Sequence, residues 1–289
     1  MSFAIITDSA ANLTNELIDK HEIGIVSLEF LVEAKPYRSY IKGEKNDLKK
    51  FYDMMRNKEH ITTSAVNQQT WMDGIEPALK EGKDALVIAF SSGLSVTAQQ
   101  AKTACEALAE KYPERKVICV DSLCAAMGQG MYVMYAVEKR AEGMTIEQTA
   151  AWLEENKLNM AHWFTVETLT YLKRGGRVSG ATAVIGNLMS IKPVMHVDNE
   201  GKLIAVHKVR GRKASLDALV EHMEKTAIEP EKQVIYISHG DCIEDAEYVA
   251  QQCREKMHVK DVIINILDPV IGAHAGPGTM ALFFMATER

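Results

Sequence analysis

The sequence lacks the features that mark several large classes of protein. Its five cysteines are an odd number and include no C-x-x-C pair, which argues against a disulfide framework and against a structural zinc site. No run approaches the roughly 20 apolar residues that span a bilayer, and the start "MSFAIITDSA" has no basic segment of the signal-peptide type. We therefore expect a cytoplasmic protein with no stable membrane insertion, no metal site and no cofactor.

An excess of positive charge is also absent. The chain has 33 Lys and Arg against 39 Asp and Glu, a net charge of −6 at pH 7. Such a protein has no global positive field for nucleic acid, and no credible basic recognition helix is visible. We therefore expect no nucleic-acid partner, and any anion-binding site has to be local.

The common catalytic motifs are missing as well. There is no G-x-x-x-x-G-K-[ST], no complete G-x-G-x-x-G after a strand, no H-E-x-x-H and no G-x-S-x-G. The usual nucleotide, zinc and hydrolase sites are therefore unsupported.

The pattern of apolar residues predicts an α/β protein. Fully apolar runs such as "DALVIAF" and "KVICV" alternate with amphipathic helices, which is typical of a parallel sheet covered on both faces. In the second half, "KPVMHV" and "LIAVHKV" joined by "DNEG" predict a hairpin, and a short helix is predicted at "ATAVIGNLMS". We predict a parallel-sheet α/β domain over residues 1–158 and a smaller α+β domain over residues 159–289, whose mixed sheet has helices on one side.

A serine loop follows the apolar run that ends at residue 90 and precedes a helix. Ligands of parallel sheets sit beyond the carboxyl ends of the strands, and free N–H groups at a helix start attract anions. Ser91, Ser92 and Ser95 add hydroxyl donors, and Gly93 lets the backbone approach a ligand closely. The alternative is that one serine caps the helix while the others turn the chain.

A second hydroxyl cluster, Thr62, Thr63 and Ser64, also stands before a helical segment. Capping is again the plain alternative. Because both clusters belong to the same predicted domain, we expect them to converge on one pair of ligand oxygen atoms.

Two basic loops provide local positive charge. "YLKRGGRVSG" contains Arg177, and "HKVRGRKA" contains Arg210. These loops suit a phosphate group or the acidic surface of a partner, but they also fit ordinary solvated loop charges.

His274 and Cys124 are the remaining candidates for chemistry. His274, in "IGAHAGPGTMALFF", is placed to donate to an anion or to act as a general base. Cys124, in "VDSLCAAMGQG", needs a base and a lowered pKa to be a nucleophile. Both residues also have structural interpretations.

Taken together, these segments resemble the DegV family, the fatty-acid-binding proteins that serve bacterial fatty acid kinases. The similarity runs from residue 5 to about residue 280 and rests on "IITDSAANL", "TTS" at 62–64, "SSGLS" at 91–95, "VDSLCAAMGQG", "YLKRGGRVSGATAVIGNLMSIKPV" and "HAGPGT". It implies an α/β domain followed by an α+β domain, with a long-chain acyl tail buried between or within them.

The resemblance also implies roles for individual residues. Thr63 and Ser92 are expected to hold the carboxylate, with Ser64, Gly93, Ser95 and His274 as neighbours. Arg177 and Arg210 are expected to serve the encounter with a separate ATP-dependent fatty acid kinase that makes acyl phosphate. Val96 and Ala98 stand where the family commonly has glycine and tyrosine, which bears on acyl-chain preference.

An acyl tail needs an apolar tunnel, and the sequence offers residues for one. The candidates, each also explicable as ordinary core, are Met127, Met131, Met134, Ile185, Leu188, Met189 and Phe283. The competing hypothesis is a stand-alone hydrolase or transferase that uses His274 or Cys124 on a small anionic substrate.

Overall fold

The computed structural model describes residues 3–44, 46–178 and 190–289. The helices are α1 (Asn15–His21), α2 (Leu48–Arg56), α3 (Gln68–Lys80), α4 (Thr97–Lys111), α5 (Met127–Ala141), α6 (Ile146–Asn156), α7 (Thr170–Arg174), α8 (Arg212–Thr226), α9 (Ile243–Met257) and α10 (Pro269–Ala275). The strands are β1 (Ala4–Asp8), β2 (Gly24–Val26), β3 (Glu29–Val32), β4 (Lys35–Arg38), β5 (Ile61–Ser64), β6 (Ala85–Ala89), β7 (Val117–Asp121), β8 (Met160–Thr165), β9 (Ile191–Val197), β10 (Leu203–Arg210), β11 (Val234–His239), β12 (Asp261–Ile266) and β13 (Met280–Met285).

The first sheet has the strand order β2-β1-β6-β7, and all neighbouring pairs are parallel. Every residue of β6 is buried, as expected for a central strand covered on both faces. The parallel sheet inferred from alternating apolar strands and helices is therefore confirmed.

The second sheet has the order β10-β9-β8-β13-β11-β12. Only the β11–β12 pair is parallel, and β9 and β10 form the predicted antiparallel hairpin. The two helices of the second half, α8 and α9, lie on one side of this sheet as predicted, and α5 of the first half covers the other side. Met280 and Leu282 of β13 pack in the cluster formed with α8 and α9, whereas Ala281 and Phe283 join the cluster formed with α5. Since strand side chains alternate in direction, both faces of this sheet are covered.

A third, antiparallel sheet of order β4-β3-β5 was not predicted. The apolar run "IGIVSLEFLV" divides between β2 and β3 at Ser27–Leu28, where the Leu28 N–H donates to Ser9 Oγ at 2.9 Å. The second hydroxyl cluster lies on β5, and α3 is instead capped by Asn67, whose Oδ1 accepts the Thr70 N–H at 2.9 Å. The capping interpretation of that cluster was therefore wrong.

The division at residues 158 and 159 stays a prediction. The first sheet lies within residues 4–121 and the second within residues 160–285, yet buried apolar side chains from both form one continuous cluster. The helix predicted at "ATAVIGNLMS" falls almost wholly outside the described residues. Among the residues that are described, no helix has both the length and the hydropathy to cross a bilayer.

Asp8 anchors the corner from which the serine loop departs. Its buried carboxyl accepts the Phe90 N–H at 2.8 Å and the Ala10 N–H at 3.1 Å. Burial raises the pKa of Asp8 to about 7, although these hydrogen bonds oppose the shift. Near neutral pH, the folded state therefore binds a proton that the unfolded chain has released.

We predict that the free energy of unfolding of Asp8→Asn lies below that of the wild type by an amount that becomes smaller as the pH rises. Between about pH 4 and pH 7, the raised pKa makes the free energy of unfolding of the wild type fall, by up to about 1.4 kcal/mol per pH unit from this group. Asparagine has no proton to lose, so the wild-type minus variant difference should shrink from pH 5 to pH 8. Urea unfolding at each pH measures this difference, and a constant value would contradict the raised pKa.

Candidate functional site

A cavity of about 400 Å³ lies where the loops of the first sheet meet the second sheet. This volume is within the range of small-molecule sites. Its apolar walls are formed by Leu28, Ala65, Phe90, Leu94, Val96, Ala125, Ala126, Phe164, Leu172, Val197, Leu203, Leu267, Val270, Ile271, Ala275, Ala281 and Phe283. Its polar lining residues are Thr63, Ser64, Ser92, Ser95, His162, Arg177, His274 and Thr279. The cavity is thus a mainly apolar chamber with a small set of polar groups.

His274 reaches the cavity from the last turn of α10. The Asp268 carboxylate caps this helix, accepting the Ile271 N–H at 3.1 Å and the Val270 N–H at 3.3 Å. Because α10 packs against β3 and β5, the His274 ring faces Thr63 on β5, with Nε2 2.7 Å from Thr63 Oγ1. On the other side of the ring lies Gly175, where a Cβ atom would overlap His274 Nδ1.

His274 is neutral at physiological pH. Burial, together with the nearby positive charges of Arg177 and Arg174, lowers its pKa to about 4. Nδ1 is buried without a hydrogen-bond partner among the described residues. We assign the single ring proton to Nε2, because a proton on Nδ1 would be a buried donor with no acceptor. Nε2–H then donates to Thr63, whose own hydroxyl hydrogen is free to point into the cavity.

The three serines of the serine loop have different roles. Ser95 Oγ accepts the Thr97 N–H at 3.2 Å and lies 2.8 Å from Thr97 Oγ1, so this residue assists the start of α4. Ser91 is fully buried and donates to the Gly201 carbonyl. Ser92 is exposed on the cavity wall, and its hydroxyl has no partner among the described residues. The N-cap residue of α4 is Val96, and this helix has no side-chain capping hydrogen bond, so the capping alternative was wrong. Ser92 carries the free hydroxyl.

Gly93 does not line the cavity. A Cβ atom there would overlap the Glu200 carbonyl oxygen and crowd Gly201, both in the turn between β9 and β10. The absence of a side chain lets this turn pack against the serine loop. Close approach of a ligand, the reason we gave for this glycine, is not what the structure shows.

The two arginines of the basic loops are separated by the fold. Arg177 lines the cavity, where its Nε donates to the Leu94 carbonyl at 3.3 Å. Arg210 ends β10, is exposed and is not among the lining residues. Arg177 thus adds a cation to a site for which the sequence suggested only uncharged donors.

Comparison with known proteins identifies the family of the chain. Residues 2–287 match the family model described as "Uncharacterised protein, DegV family". The chain belongs to the DegV family. A DegV domain-containing protein of Clostridium perfringens is 41% identical over 99% of this chain and 98% of its own length.

Solved DegV structures share the whole architecture. A DegV lipid-binding protein from Thermotoga maritima is 28% identical, with a TM-score of 0.87 and full coverage of both chains. A DegV family protein from Thermus thermophilus, for which fatty acid binding is described, is 29% identical, with a TM-score of 0.88 over 99% of this chain and 100% of its own. The predicted DegV-like fold is confirmed.

The structure places the apolar residues that the sequence suggested for an acyl tunnel in different environments. Phe283 lines the cavity. Met127 and Met131 are fully buried in the core, and Met134 packs at the edge of that core. Ile185, Leu188 and Met189 lie outside the described residues. Of the two family departures, Val96 lies on the rim with 64% of its surface exposed, and Ala98 is buried inside α4. An apolar side chain in a helix gives no sign of whether it faces a cavity or another helix.

His162 is a lining residue that sequence reasoning missed. It is only 1% exposed, and its Nδ1–H donates to the Met160 carbonyl at 2.7 Å. Its Nε2 accepts the Ala125 N–H at 3.4 Å, and burial holds the pKa of His162 well below its ordinary value. The available signal was a histidine inside the apolar strand "AHWFTVE".

Cys124, the nucleophile of the competing enzyme hypothesis, is fully buried and does not line the cavity. Its Sγ–H donates to the Ser122 carbonyl at 3.1 Å, and burial raises the pKa of the thiol to about 11. Within the described ranges, no group of three or more His, Cys, Asp or Glu side chains is arranged to hold a metal ion.

We predict that His274 titrates with a pKa near 4 and that Arg177→Gln raises this value. Loss of the neighbouring positive charge favours the imidazolium, but burial, the larger cause, keeps the pKa below the ordinary value of about 6.5. Imidazole NMR signals followed from pH 3 to pH 8 report both pKa values. An ordinary pKa in the wild type would contradict the buried, neutral assignment.

Proposed function

We propose that this protein binds a long-chain fatty acid, burying the acyl tail in the cavity and holding the carboxylate at Thr63 and Ser92. The observation that carries this proposal is that Thr63, Ser92 and Arg177 all line one mainly apolar cavity. Within it, neutral His274 orients the Thr63 hydroxyl. Lipid binding by DegV relatives that share the whole fold supports it.

The acyl tail supplies the affinity. About fifteen methylenes at ~0.8 kcal/mol each give a gross term of about 12 kcal/mol. Ordering of the chain and loss of free motion remove about half of it or more. Micromolar or tighter binding is therefore within reach of the tail alone.

The head group poses the opposite problem, because a buried carboxylate without partners costs several kcal/mol. Thr63 offers a hydroxyl hydrogen, since its oxygen accepts from His274 Nε2–H. Ser92 offers a second hydroxyl, with Ser64 and Ser95 nearby on the lining. The Arg177 guanidinium provides the compensating charge, a contribution that the sequence alone did not suggest.

We further propose that the bound acid is presented to a separate fatty acid kinase. Ser64, Ser92 and Val96 line the cavity and are also exposed, so the polar end of the cavity opens to solvent. A carboxylate oxygen held there can attack the terminal phosphorus of ATP bound to the kinase, which yields acyl phosphate and ADP. Arg210 is exposed away from the lining and suits contact with that partner.

We predict that Thr63→Val and Ser92→Ala each weaken fatty acid binding by about 1 to 3 kcal/mol, the value of a hydrogen bond to a charged group. Calorimetric titration of the delipidated protein with oleic and palmitic acids measures the loss. The matched control is Thr62→Val, since Thr62 is the exposed neighbour on β5 and is not a lining residue.

Lipid extraction tests the proposal without a variant. Protein purified from cells should release a long-chain acid detectable by mass spectrometry. Binding that survives the Thr63→Val/Ser92→Ala double substitution unchanged would reject the head-group assignment, and the absence of any bound or bindable fatty acid would reject the function.

We predict that Arg210→Ala leaves fatty acid affinity unchanged but lowers the rate of acyl phosphate formation with the partner kinase several-fold. Arg177→Ala should lower both, because Arg177 is part of the cavity wall. Lys83→Ala removes an exposed positive charge elsewhere and serves as the control. A kinase rate unaffected by Arg210→Ala would remove Arg210 from the partner surface.

A further inference from the structure

The turn between β9 and β10 is docked on the serine loop by backbone contacts. Ser91 Oγ–H donates to the Gly201 carbonyl at 2.8 Å, and the same oxygen accepts the Gly93 N–H at 3.1 Å. Gly201 has φ +73, and a Cβ atom there would overlap Ser91 Oγ, just as one on Gly93 would overlap the Glu200 carbonyl. Two glycines and one buried hydroxyl therefore bring the loop and the turn together.

This docking fixes the backbone on both sides of Ser92. The Ser91 N–H donates to the Cys124 carbonyl at 3.1 Å, and the Ser92 N–H donates to Asp121 Oδ1 at 3.2 Å. Gly93 is held through Ser91 Oγ and the turn. The backbone that carries the Ser92 side chain is thus held on both sides. A shift of this backbone would break the contact between Ser91 and the β9–β10 turn.

The same turn belongs to the wall of the acyl chamber. Val197 at the end of β9 and Leu203 at the start of β10 both line the cavity. The contact at Ser91 therefore joins the head-group loop to part of the apolar wall.

We propose that Ser91 is a positioning residue for fatty acid binding, and that its bond to the Gly201 carbonyl holds Ser92 and the β9–β10 wall in register for the ligand. This inference rests on the proposed function. Ser91 is 0% exposed, so its hydroxyl does not meet the ligand and acts only through the loop and the turn. Without this hydrogen bond, the ligand has to order the serine loop and the β9–β10 turn when it binds. The entropy cost of that ordering lowers the affinity.

Ser122 supplies a matched control in the same corner of the first sheet. Its hydroxyl donates to the Ala89 carbonyl at 2.7 Å and accepts the Cys124 N–H at 3.1 Å, the same pattern as in Ser91, and it too is 0% exposed. Its hydroxyl forms no hydrogen bond with the β9–β10 turn among the described residues. Ser91→Ala and Ser122→Ala should therefore cost comparable stability, while only Ser91→Ala releases the turn.

The experiment compares wild type, Ser91→Ala and Ser122→Ala after delipidation, with oleic and palmitic acids as probes. We expect Ser91→Ala to weaken affinity about tenfold and to speed dissociation, and Ser122→Ala to stay within about twofold of wild type. Hydrogen exchange provides a readout without ligand: amides of residues 198–203 should exchange faster in Ser91→Ala than in Ser122→Ala.

A second pair of variants keeps the test decisive if Ser91→Ala does not fold. Gly201→Ala places a Cβ against Ser91 Oγ, whereas Gly143→Ala carries the same kind of strain, at φ +88, with nothing within 4 Å of its new Cβ. Gly201→Ala should weaken fatty acid binding and Gly143→Ala should not.

The outcomes separate this inference from the proposed function. Wild-type protein that binds neither acid overturns both. If the wild type binds fatty acid but Ser91→Ala and Ser122→Ala have equal affinities, only the role of Ser91 is overturned. Equal affinities of Gly201→Ala and Gly143→Ala lead to the same conclusion.

Discussion

The hydrogen bond between Thr63 Oγ1 and His274 Nε2 is the contact on which the candidate site depends. It joins the edge strand β5 of the third sheet to the last turn of α10, two elements more than two hundred residues apart in the chain. A threonine hydroxyl by itself can rotate freely between donor and acceptor orientations. A neutral histidine that donates its only N–H to that oxygen leaves the hydroxyl hydrogen free to point into the cavity.

Burial makes this pairing effective. The same burial that holds His274 neutral keeps its ring as a hydrogen-bond donor to the threonine oxygen. For the proposed ligand, burial raises the cost of an unpaired carboxylate, and Arg177 supplies a positive charge beside the hydroxyl donors on the cavity wall. The cavity thus combines apolar walls with a small set of polar side chains, which is the arrangement that the proposed fatty acid would require.

The site is composite because its parts are held by different elements. Asp268 caps the helix that carries His274, Ser95 assists the start of α4, and Ser91 docks the β9–β10 turn on the serine loop. Hydroxyls that look equivalent in the sequence are therefore divided between anchoring the backbone and facing the cavity. Only Ser92 among the three serines combines exposure on the wall with a hydroxyl left without a partner in the described structure.

The sequence by itself determined the parallel first sheet, the β9–β10 hairpin and the family, because apolar periodicity, turn residues and motif order are local properties of the chain. It did not reveal β5 as a strand, the packing role of Gly93, the position of Arg177 inside the cavity or the contribution of His162. It also named Met127 and Met131 as tunnel residues, which the fold places in the solid core. Those assignments depend on which face of an element meets which distant partner, and only tertiary packing decides that.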